Sequence, residues 1–329
     1  MRKRFIFTCG DINGIGPEII IKSLNHLSFK KDYQFILICP SNVFRATTEF
    51  INPEFKINTI KKLNEISNEK IILFDTGNFK FKFGNPTRPS GKAAYLSLEI
   101  ARDLLKNNYA QALITAPISK EAINMAGFKF PGHTELLAEW FDTQSFVMMF
   151  LSKKIKAALT TIHSPVSAVP GLITRAKLKE TADVVINSLK RDFNVETPKI
   201  GILGLNPHAG EAGIIGVEEM KIIKPFIKKY KQREYLYGPF SPDAYWGNKL
   251  YSRYDLTLGM YHDQVLIPFK LLNFSKGVNY TAGLPIVRTS PDHGVAYDIA
   301  GKNLANESSI LEAFYFAEVI LNNRRKWIA

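Results

Sequence analysis

Short apolar runs alternate along the chain with longer segments in which apolar residues recur at the spacing of an α-helix. Segment 91–107 shows the helical spacing clearly, with apolar positions at Ala94, Leu96, Ile100 and Leu104. The short runs predict strands over 4–9, 34–39, 71–75, 111–115, 145–151, 156–161, 198–204, 255–260 and 278–281. The periodic segments predict helices over 17–28, 91–107, 134–141, 174–190, 216–231 and 308–323. This alternation is typical of an α/β protein with mostly parallel sheets and helices on both faces.

The length and composition fit a globular protein of about two domains. The chain has 329 residues, of which 46% are hydrophobic and 22% are charged. A chain with this fraction of hydrophobic residues is too apolar to be disordered. No Pro/Gly/Ser-rich linker divides the sequence, so two domains are expected to exchange segments or to be inserted one into the other.

The net charge is strongly positive, but the basic residues are scattered. Lys and Arg number 43 against 30 Asp and Glu, a formal net charge of +13. No basic tail or basic–aromatic module is present, so we expect no nucleic-acid partner. No apolar stretch approaches the roughly 18 residues of a membrane span, so we expect no membrane partner. The excess cations form a solvated surface, or some of them hold an anionic substrate.

The two cysteines, Cys9 and Cys39, lie in apolar runs that are predicted to be buried strands. Two cysteines are too few for a disulfide scaffold or a cysteine-based zinc module. The sequence therefore predicts reduced core thiols in a cytoplasmic protein.

A glycine-rich turn, with Gly10, Gly14 and Gly16, follows the first predicted strand and opens a helix. Such a turn suggests a dinucleotide site. However, the second strand ends at Cys39-Pro40-Ser41, where no acidic residue can hold a ribose. The turn is therefore not interpreted as a Rossmann fingerprint, and a tight turn with close helix packing is the alternative.

The histidines carry the strongest chemical signal. Only His26, on an amphipathic helix, looks structural, and the others lie in loop-like contexts: His133, His163, His208, His262 and His293. His163, His208 and His262 each follow a predicted strand. The carboxyl ends of strands form the ligand crevice of an open α/β sheet. Three imidazoles brought together there could bind a divalent metal.

Polar residues near these histidines extend the candidate site. Lys270, Asn279 and Arg288 lie between His262 and His293, where they could clamp an anion, although isolated cations are usually solvated surface residues. Asp243 could be a carboxylate at the metal or a turn residue. Lys120 could act on the substrate or begin a helix at the surface.

Taken together, these segments resemble the 4-hydroxythreonine-4-phosphate dehydrogenases of pyridoxal phosphate biosynthesis, whose fold is similar to that of isocitrate and isopropylmalate dehydrogenases. The resemblance extends from the first turn to about residue 306. The matching segments are Gly10-Asp11, Gly14-Ile-Gly-Pro-Glu18, Gly132-His-Thr-Glu135, Asn206-Pro-His-Ala-Gly-Glu211, Gly238-Pro, Asp243, Tyr261-His-Asp-Gln264, Gly283-Leu-Pro, Arg288-Thr-Ser and Asp292-His-Gly294.

The resemblance implies roles for most of the candidate residues. It implies metal ligands at His163, His208 and His262, one of them from the partner subunit of a homodimer whose active site lies at the interface. It implies substrate contacts at His133, Thr134, Lys270, Asn279 and Arg288. Lys120 and Asp243 are the candidate catalytic residues from their own positions in the sequence. It also implies that the cofactor, NAD or NADP, contacts His293, Gly294 and Asn306. The metal could be Zn, Mg, Co or Mn.

The resemblance further implies a fold and a reaction. The fold is two α/β/α domains with a cleft between them: a cofactor-side domain of residues 1–128 plus 276–329, and a metal, substrate and dimerisation domain of residues 129–275. The reaction oxidises 4-phosphohydroxy-L-threonine to 2-amino-3-oxo-4-phosphooxybutanoate, which loses carbon dioxide to give 3-amino-2-oxopropyl phosphate. Alternatives are a phosphorylated sugar acid such as threonate or erythronate 4-phosphate, a dihydrodiol, or a histidine-metal hydrolase.

The sequence departs from the family pattern in two places. Ile12-Asn13 stands where the family usually has Pro-Ala, and Val265 stands where a glycine is usual. Both positions affect backbone shape more than chemistry.

Overall fold

The computed structural model describes residues 2–129 and 132–328, which fold as two compact units. Unit 1 comprises Met1–Asp142 and Pro285–Leu321, and unit 2 comprises Thr143–Leu284 and Asn322–Ala329. The sequence placed the corresponding boundaries after residues 128 and 275, and the functions assigned to the two domains remain predictions. In the described residues, no helix is both long and apolar enough to span a bilayer.

The strands of the described residues are, in chain order, β1 (Lys3–Thr8), β2 (Tyr33–Cys39), β3 (Asn58–Ile60), β4 (Ile71–Asp75), β5 (Ala112–Thr115), β6 (Val147–Leu151), β7 (Lys156–Leu159), β8 (Ile200–Leu203), β9 (Leu236–Phe240), β10 (Leu256–Gly259), β11 (Val278–Ala282) and β12 (Val287–Pro291). The α-helices are α1 (Gly16–Leu27), α2 (Ser41–Thr48), α3 (Arg88–Lys106), α4 (Lys120–Met125), α5 (His133–Trp140), α6 (Val169–Leu172), α7 (Arg175–Phe193), α8 (Lys224–Lys229), α9 (Pro242–Gly247), α10 (His262–Asn273) and α11 (Ser308–Ile328).

The strands of unit 1 follow the order β3-β4-β2-β1-β5-β12, and every pair is parallel. The central strands read as continuous apolar runs because both of their faces are buried. Phe5 and Phe35 on β1 and β2 pack against Phe314 of α11, with ring centroids 4.8 and 5.6 Å from that ring. The predicted free thiols, Cys9 and Cys39, are both buried in this core.

The strands of unit 2 follow the order β11-β6-β7-β10-β8-β9. Strand β10 is parallel to both β7 and β8, whereas β6 is antiparallel to its two neighbours. Phe150 and Leu159 of the sheet pack with Val265 and Phe269 of α10 in one apolar cluster. The predicted α/β class with mostly parallel strands is therefore confirmed.

Several elements differ from the sequence prediction. Helix α10 was not predicted because Pro268 interrupts its second half and His262 begins it. The predicted helix 216–231 is a π-helical turn, Glu219–Ile223, followed by the short α8. The sequence also missed β3, β9 and β12, which are short or contain proline.

Candidate functional site

Three histidines follow three adjacent parallel strands of unit 2. His163 comes after β7, His208 after β8 and His262 after β10, which lies between the other two strands. The rings of His163 and His262 have centroids 6.0 Å apart. The first residue of α10, His262, has its Nδ1 2.7 Å from Asp263 Oδ1. The sheet therefore places these imidazoles at the carboxyl ends of neighbouring strands, as the sequence predicts.

His208 begins an unusual left-handed turn, residues 208–212, which we name the His208 turn. All its residues have φ between +40° and +79°, and only Gly210 lacks a Cβ. Left-handed backbone costs a non-glycine residue about 1–2 kcal/mol. Strain of this kind persists where the surrounding structure imposes it and is concentrated at functional sites.

Asp243 lies on α9 and is the carboxylate associated with His208. Ser241 Oγ donates a hydrogen bond to Asp243 Oδ1 at 2.6 Å. This bond holds the pKa of Asp243 below its usual range, and the charge of His208 contributes in the same direction. Asp243 is therefore ionised at neutral pH. It lies close enough to the His208 imidazole for the two charges to interact.

The donor types suit a divalent cation. Imidazole suits zinc and related transition metals, and carboxylate suits magnesium or manganese. His163 and His262 form one close pair. Within residues 2–129 and 132–328, no group of three or more His, Cys, Asp or Glu side chains is arranged to hold a metal ion.

In unit 1, a second cluster gathers His133, Lys120 and Arg288. Arg288 on β12 is 3% exposed, and its Nη2 donates a hydrogen bond to Thr115 Oγ1 at 2.8 Å. His133 is the first residue of α5, and Lys120 is the first residue of α4. Glu135, one turn into α5, is the carboxylate whose charge acts on Arg288.

This cluster has more positive than negative charge in a desolvated setting. Burial lowers the pKa of Arg288 to about 9, and Glu135 only partly offsets that effect. Burial, together with the charges of Arg288 and Lys120, lowers the pKa of His133 well below its ordinary value. At neutral pH the arginine is therefore a cation and His133 a neutral imidazole, which can donate or accept a hydrogen bond.

The remaining residues of the predicted substrate set are distributed over both units. Thr134 lies buried on α5 in unit 1, whereas Lys270 and Asn279 belong to unit 2. Lys270 is exposed on α10, which also carries His262. On β11, the Oδ1 atom of Asn279 is buried and accepts no hydrogen bond from the described residues. A buried amide oxygen in this state is a candidate ligand contact.

The glycine-rich turn supports the loop that contains the predicted cofactor residues. The Ile15 amide donates to Val295 O at 3.0 Å, and the Tyr297 hydroxyl donates to Asp11 Oδ2 at 2.9 Å. A Cβ at Gly14 would lie 2.8 Å from Val295 O, so only glycine allows this approach. The turn therefore serves close packing, the alternative to the Rossmann interpretation.

The predicted cofactor residues lie in the described part of that loop. His293 and Gly294 are exposed, and His293 Nδ1 is 3.0 Å from Gly294 O. Asn306 Oδ1 accepts a hydrogen bond from the Ser308 amide at 2.8 Å, so this side chain forms a turn that leads into α11. This turn explains Asn306 without a cofactor, and its cofactor role remains a prediction.

The first departure from the family pattern, Asn13, binds a neighbouring segment. Its Nδ2 donates to Asn85 O at 2.7 Å and to Thr87 Oγ1 at 3.1 Å. Its Oδ1 accepts from the Lys82 amide at 2.9 Å. An alanine could make none of these bonds, so Asn13 fixes the segment before α3 to the first turn.

The second departure, Val265, fills a space in the core of unit 2. It is fully buried, and a Cβ at Gly259 would lie 2.2 Å from Val265 Cγ2. The valine side chain therefore occupies the room that Gly259 leaves open at the end of β10.

Sequence reasoning missed two members of the cluster in unit 1. Glu135 follows His133 by two residues in a quoted motif, so its position in the chain was a usable signal. Thr115 meets Arg288 only because β5 and β12 are neighbours, 173 residues apart in sequence. No local pattern could reveal that contact.

A mostly parallel α/β fold, histidines at strand ends and a buried arginine with excess positive charge are the features of an α/β enzyme. Residues 31–317 match the family model described as "Pyridoxal phosphate biosynthetic protein PdxA". A 4-hydroxythreonine-4-phosphate dehydrogenase of Sulfurihydrogenibium sp. (strain YO3AOP1) is 40% identical over 325 residues, covering 98% of this chain and 99% of the relative.

Two further relatives carry the same enzyme name. A protein of the same name from Bacteroides thetaiotaomicron is 37% identical, covering 98% of this chain and 90% of the relative. The crystal structure of 4-hydroxythreonine-4-phosphate dehydrogenase from Klebsiella pneumoniae has a TM-score of 0.84 and 33% identity, covering 98% of both chains. The chain belongs to the 4-hydroxythreonine-4-phosphate dehydrogenase (PdxA) family. The resemblance is confirmed, and membership of a dehydrogenase family argues against the hydrolase alternative.

Proposed function

We propose that this chain oxidises 4-phosphohydroxy-L-threonine, with NAD or NADP as the hydride acceptor. The product, 2-amino-3-oxo-4-phosphooxybutanoate, then loses carbon dioxide to give 3-amino-2-oxopropyl phosphate. The relatives carry the name of this activity along nearly their whole length. The reaction belongs to pyridoxal phosphate biosynthesis, the process named in the family description.

The observation that carries the proposal is the buried Arg288. Its guanidinium is almost fully buried, and burial lowers its pKa to about 9. A phosphate or carboxylate is the kind of group that accepts two parallel hydrogen bonds from a guanidinium. His133 and Thr134 at the start of α5 are proposed to orient the same anion. Lys270 and Asn279 are the proposed substrate contacts of unit 2.

We assign the metal to His163, His208 and His262, with one ligand from the partner subunit. When bound, a divalent cation such as Zn, Mg, Co or Mn supplies Lewis acidity that favours ionisation of the substrate hydroxyl. Lys120 is proposed as a catalytic residue beside His133, whose neutral imidazole has a nitrogen that can accept the hydroxyl proton. Asp243 is proposed to stabilise the position and charge of the His208 imidazole.

The loop that follows β12 is the proposed site for the adenosine half of the cofactor. His293 and Gly294 are exposed on it, and the packing of Val295 and Tyr297 on the first turn holds it in place. Asn306 closes the segment at the start of α11. The cofactor would thus be bound without a Rossmann fingerprint.

A homodimer is proposed from an exposed apolar stripe on α10. Ile267, Leu271 and Phe274 are 57, 82 and 87% exposed and are spaced four and three residues apart, so they share one helix face. Exposed stripes of this kind mark interaction surfaces. A second copy of the chain is the proposed occupant, because His262 and Lys270 lie on the same helix and the metal assignment above takes one ligand from the partner subunit. A cytoplasmic location goes with this assignment.

A turnover assay tests the function directly. The purified protein is given 4-phosphohydroxy-L-threonine, NAD⁺ or NADP⁺, and each divalent metal, and formation of the reduced nicotinamide and carbon dioxide is followed. We expect metal-dependent formation of both products. Threonate and erythronate 4-phosphates and a dihydrodiol are the comparison substrates. A higher kcat/KM on any of these than on 4-phosphohydroxy-L-threonine would replace the proposed substrate.

Subunit complementation tests the shared metal site. His163→Ala and His208→Ala subunits are each inactive in the proposal, because each lacks a ligand. After subunit exchange, random pairing makes about half of the dimers mixed, each with one intact site. We therefore expect roughly a quarter of wild-type activity. No recovery in a sample whose exchange is verified by mass spectrometry would show that His163 and His208 of one site come from the same chain.

A further inference from the structure

A buried carboxylate, Glu219, lies inside the His208 turn. One of its oxygens, Oε1, accepts a hydrogen bond from the Asn206 amide at 2.7 Å. The other, Oε2, accepts one from Asn206 Nδ2 at 3.0 Å. Glu219 is 1% exposed. Both oxygens are therefore bonded to the residue that leads into the turn.

The same carboxylate lies close to the backbone both before the turn and in its middle. A Cβ at Gly204 would lie 3.0 Å from Glu219 Oε1, and a Cβ at Gly210 would lie 2.6 Å from Oε2. A side chain at either glycine would therefore crowd the carboxylate. Loss of the carboxylate would remove the group around which the left-handed backbone is built.

Two further features distinguish this buried carboxylate. In residues 2–129 and 132–328, no lysine, arginine or histidine forms an ion pair with Glu219. A buried carboxylate without a cation is unfavourable unless hydrogen bonds compensate it. Glu219 also begins the π-helical turn, a rare element that is found mostly at functional sites. Together with the strained backbone, these features indicate selection for the position of a side chain.

The side chain that this turn positions is His208. Its backbone φ of +52° sets the direction of its Cα–Cβ bond, and an ordinary right-handed turn would direct that bond elsewhere. Resting on the metal site proposed above, we propose that Glu219 is a positioning residue that holds the His208 turn left-handed and so directs the imidazole to the divalent cation.

The experiment compares Co²⁺ binding in the full chain. The variants are Glu219→Ala and Glu219→Gln, and the reference is His208→Ala. Two matched controls are Glu218→Gln and Leu189→Ala. Glu218 also accepts from Asn206 Nδ2, at 2.7 Å, and its glutamine variant removes the charge but keeps an acceptor oxygen and leaves Glu219 in place. Leu189→Ala removes a fully buried side chain of α7. Calorimetry gives the Co²⁺ Kd, and hydrogen exchange of the metal-free protein reports the stability of residues 208–212.

We expect Glu219→Ala to raise the Co²⁺ Kd by about 10–100-fold, the usual effect of losing a group that orients a ligand. Glu219→Gln should have a smaller effect, since its carbonyl still accepts from the Asn206 amide. Exchange at residues 208–212 should accelerate in the Glu219 variants and stay unchanged in the controls, even where Leu189→Ala lowers Tm. If Glu219→Ala fails to fold, Glu219→Gln decides by the same two measurements.

Two results would overturn the inference, and they are distinguishable. If His208→Ala loses Co²⁺ affinity but the folded Glu219 variants keep wild-type Kd and exchange, Glu219 is only a structural residue and the metal site stands. If His208→Ala binds Co²⁺ as tightly as wild type, the proposed metal site fails and the inference fails with it.

Discussion

Arg288 in unit 1 and Arg324 in unit 2 are both almost completely buried, but their surroundings differ. Arg324 Nε donates to Asp192 Oδ1 at 2.7 Å, and its Nη2 donates to the Tyr280 hydroxyl at 3.1 Å. Burial would lower the pKa of Arg324, but Tyr280 and Asp192 together raise it. Burial instead dominates at Arg288 and lowers its pKa to about 9.

The buried carboxylate that pairs with Arg324, Asp192, also has its charge balanced within the chain. Asp192 is fully buried and also accepts from Arg191 Nε at 2.8 Å. Burial would raise the pKa of Asp192, but Arg191 and Arg324 lower it to about 2. The network around Asp192 is thus satisfied by the chain itself. At Arg288 burial outweighs the charge of Glu135, and we interpret this difference as that between a buried ion pair for stability and the buried cation of the proposed anion site.

Replacing each arginine by methionine should separate these two roles. The largest effect that we expect is the loss of stability in Arg324→Met. Arg324→Met leaves the buried Asp192 with one cation fewer and should lower the free energy of unfolding by about 3 kcal/mol. Arg288→Met removes a desolvated charge and should change it by less than about 1 kcal/mol. Urea unfolding of the two variants measures both values.

For activity we expect the opposite order, with a larger loss in Arg288→Met than in Arg324→Met. Charge-assisted bonds contribute about 1.5–3 kcal/mol each, so Arg288→Met should lower kcat/KM on the phosphorylated substrate at least tenfold. Arg324→Met, assayed well below its Tm, is the control and should stay within about threefold of wild type. A smaller loss on the dephosphorylated compound would assign Arg288 to phosphate, and an equal loss would assign it to carboxylate. Full activity in Arg288→Met would refute the anion site.

Local pattern in the sequence was enough to place most site residues at strand ends. His163, His208 and His262 each follow an apolar run, and the parallel order β7-β10-β8 brings those runs together. The apolar runs are continuous because buried parallel strands leave no polar face. Strand β12 was missed because its sequence Val-Arg-Thr-Ser-Pro contains buried polar residues, although Arg288 itself was identified.

Contacts between distant residues had no local signal. Asp192 and Arg324 are 132 positions apart, and their pairing depends on where α7 and α11 pack. The His208 turn was equally hidden, because its left-handed backbone includes alanines that ordinarily avoid that region. Its cause, Glu219, lies in a segment that periodicity predicted as a regular helix. Strain imposed by tertiary structure overrides such local preferences.

The two regions should also lose stability to acid at different pH values, which is the smallest effect. His133 has a pKa lowered below 6.5 in the folded protein, so the unfolded chain takes up its proton first and stability falls as pH drops below 6.5. Asp192 has a folded pKa of about 2 against an ordinary 3.8, so its contribution of about 2 kcal/mol is complete above pH 4 and is lost as pH falls through 2.

Urea unfolding from pH 7 to pH 2 measures both windows, with His133→Gln and Asp192→Asn as the matched variants. Between pH 6.5 and 5, wild type should lose up to about 1.4 kcal/mol per pH unit more than His133→Gln, since the glutamine cannot take up a proton. Asp192→Asn should be less stable than wild type at pH 7. Its free energy of unfolding should depend less steeply on pH than that of wild type only below pH 4. If the free energy of unfolding depends on pH in the same way for wild type and His133→Gln above pH 5, His133 has an ordinary pKa. The contrast between the two buried clusters would then depend on the arginines alone.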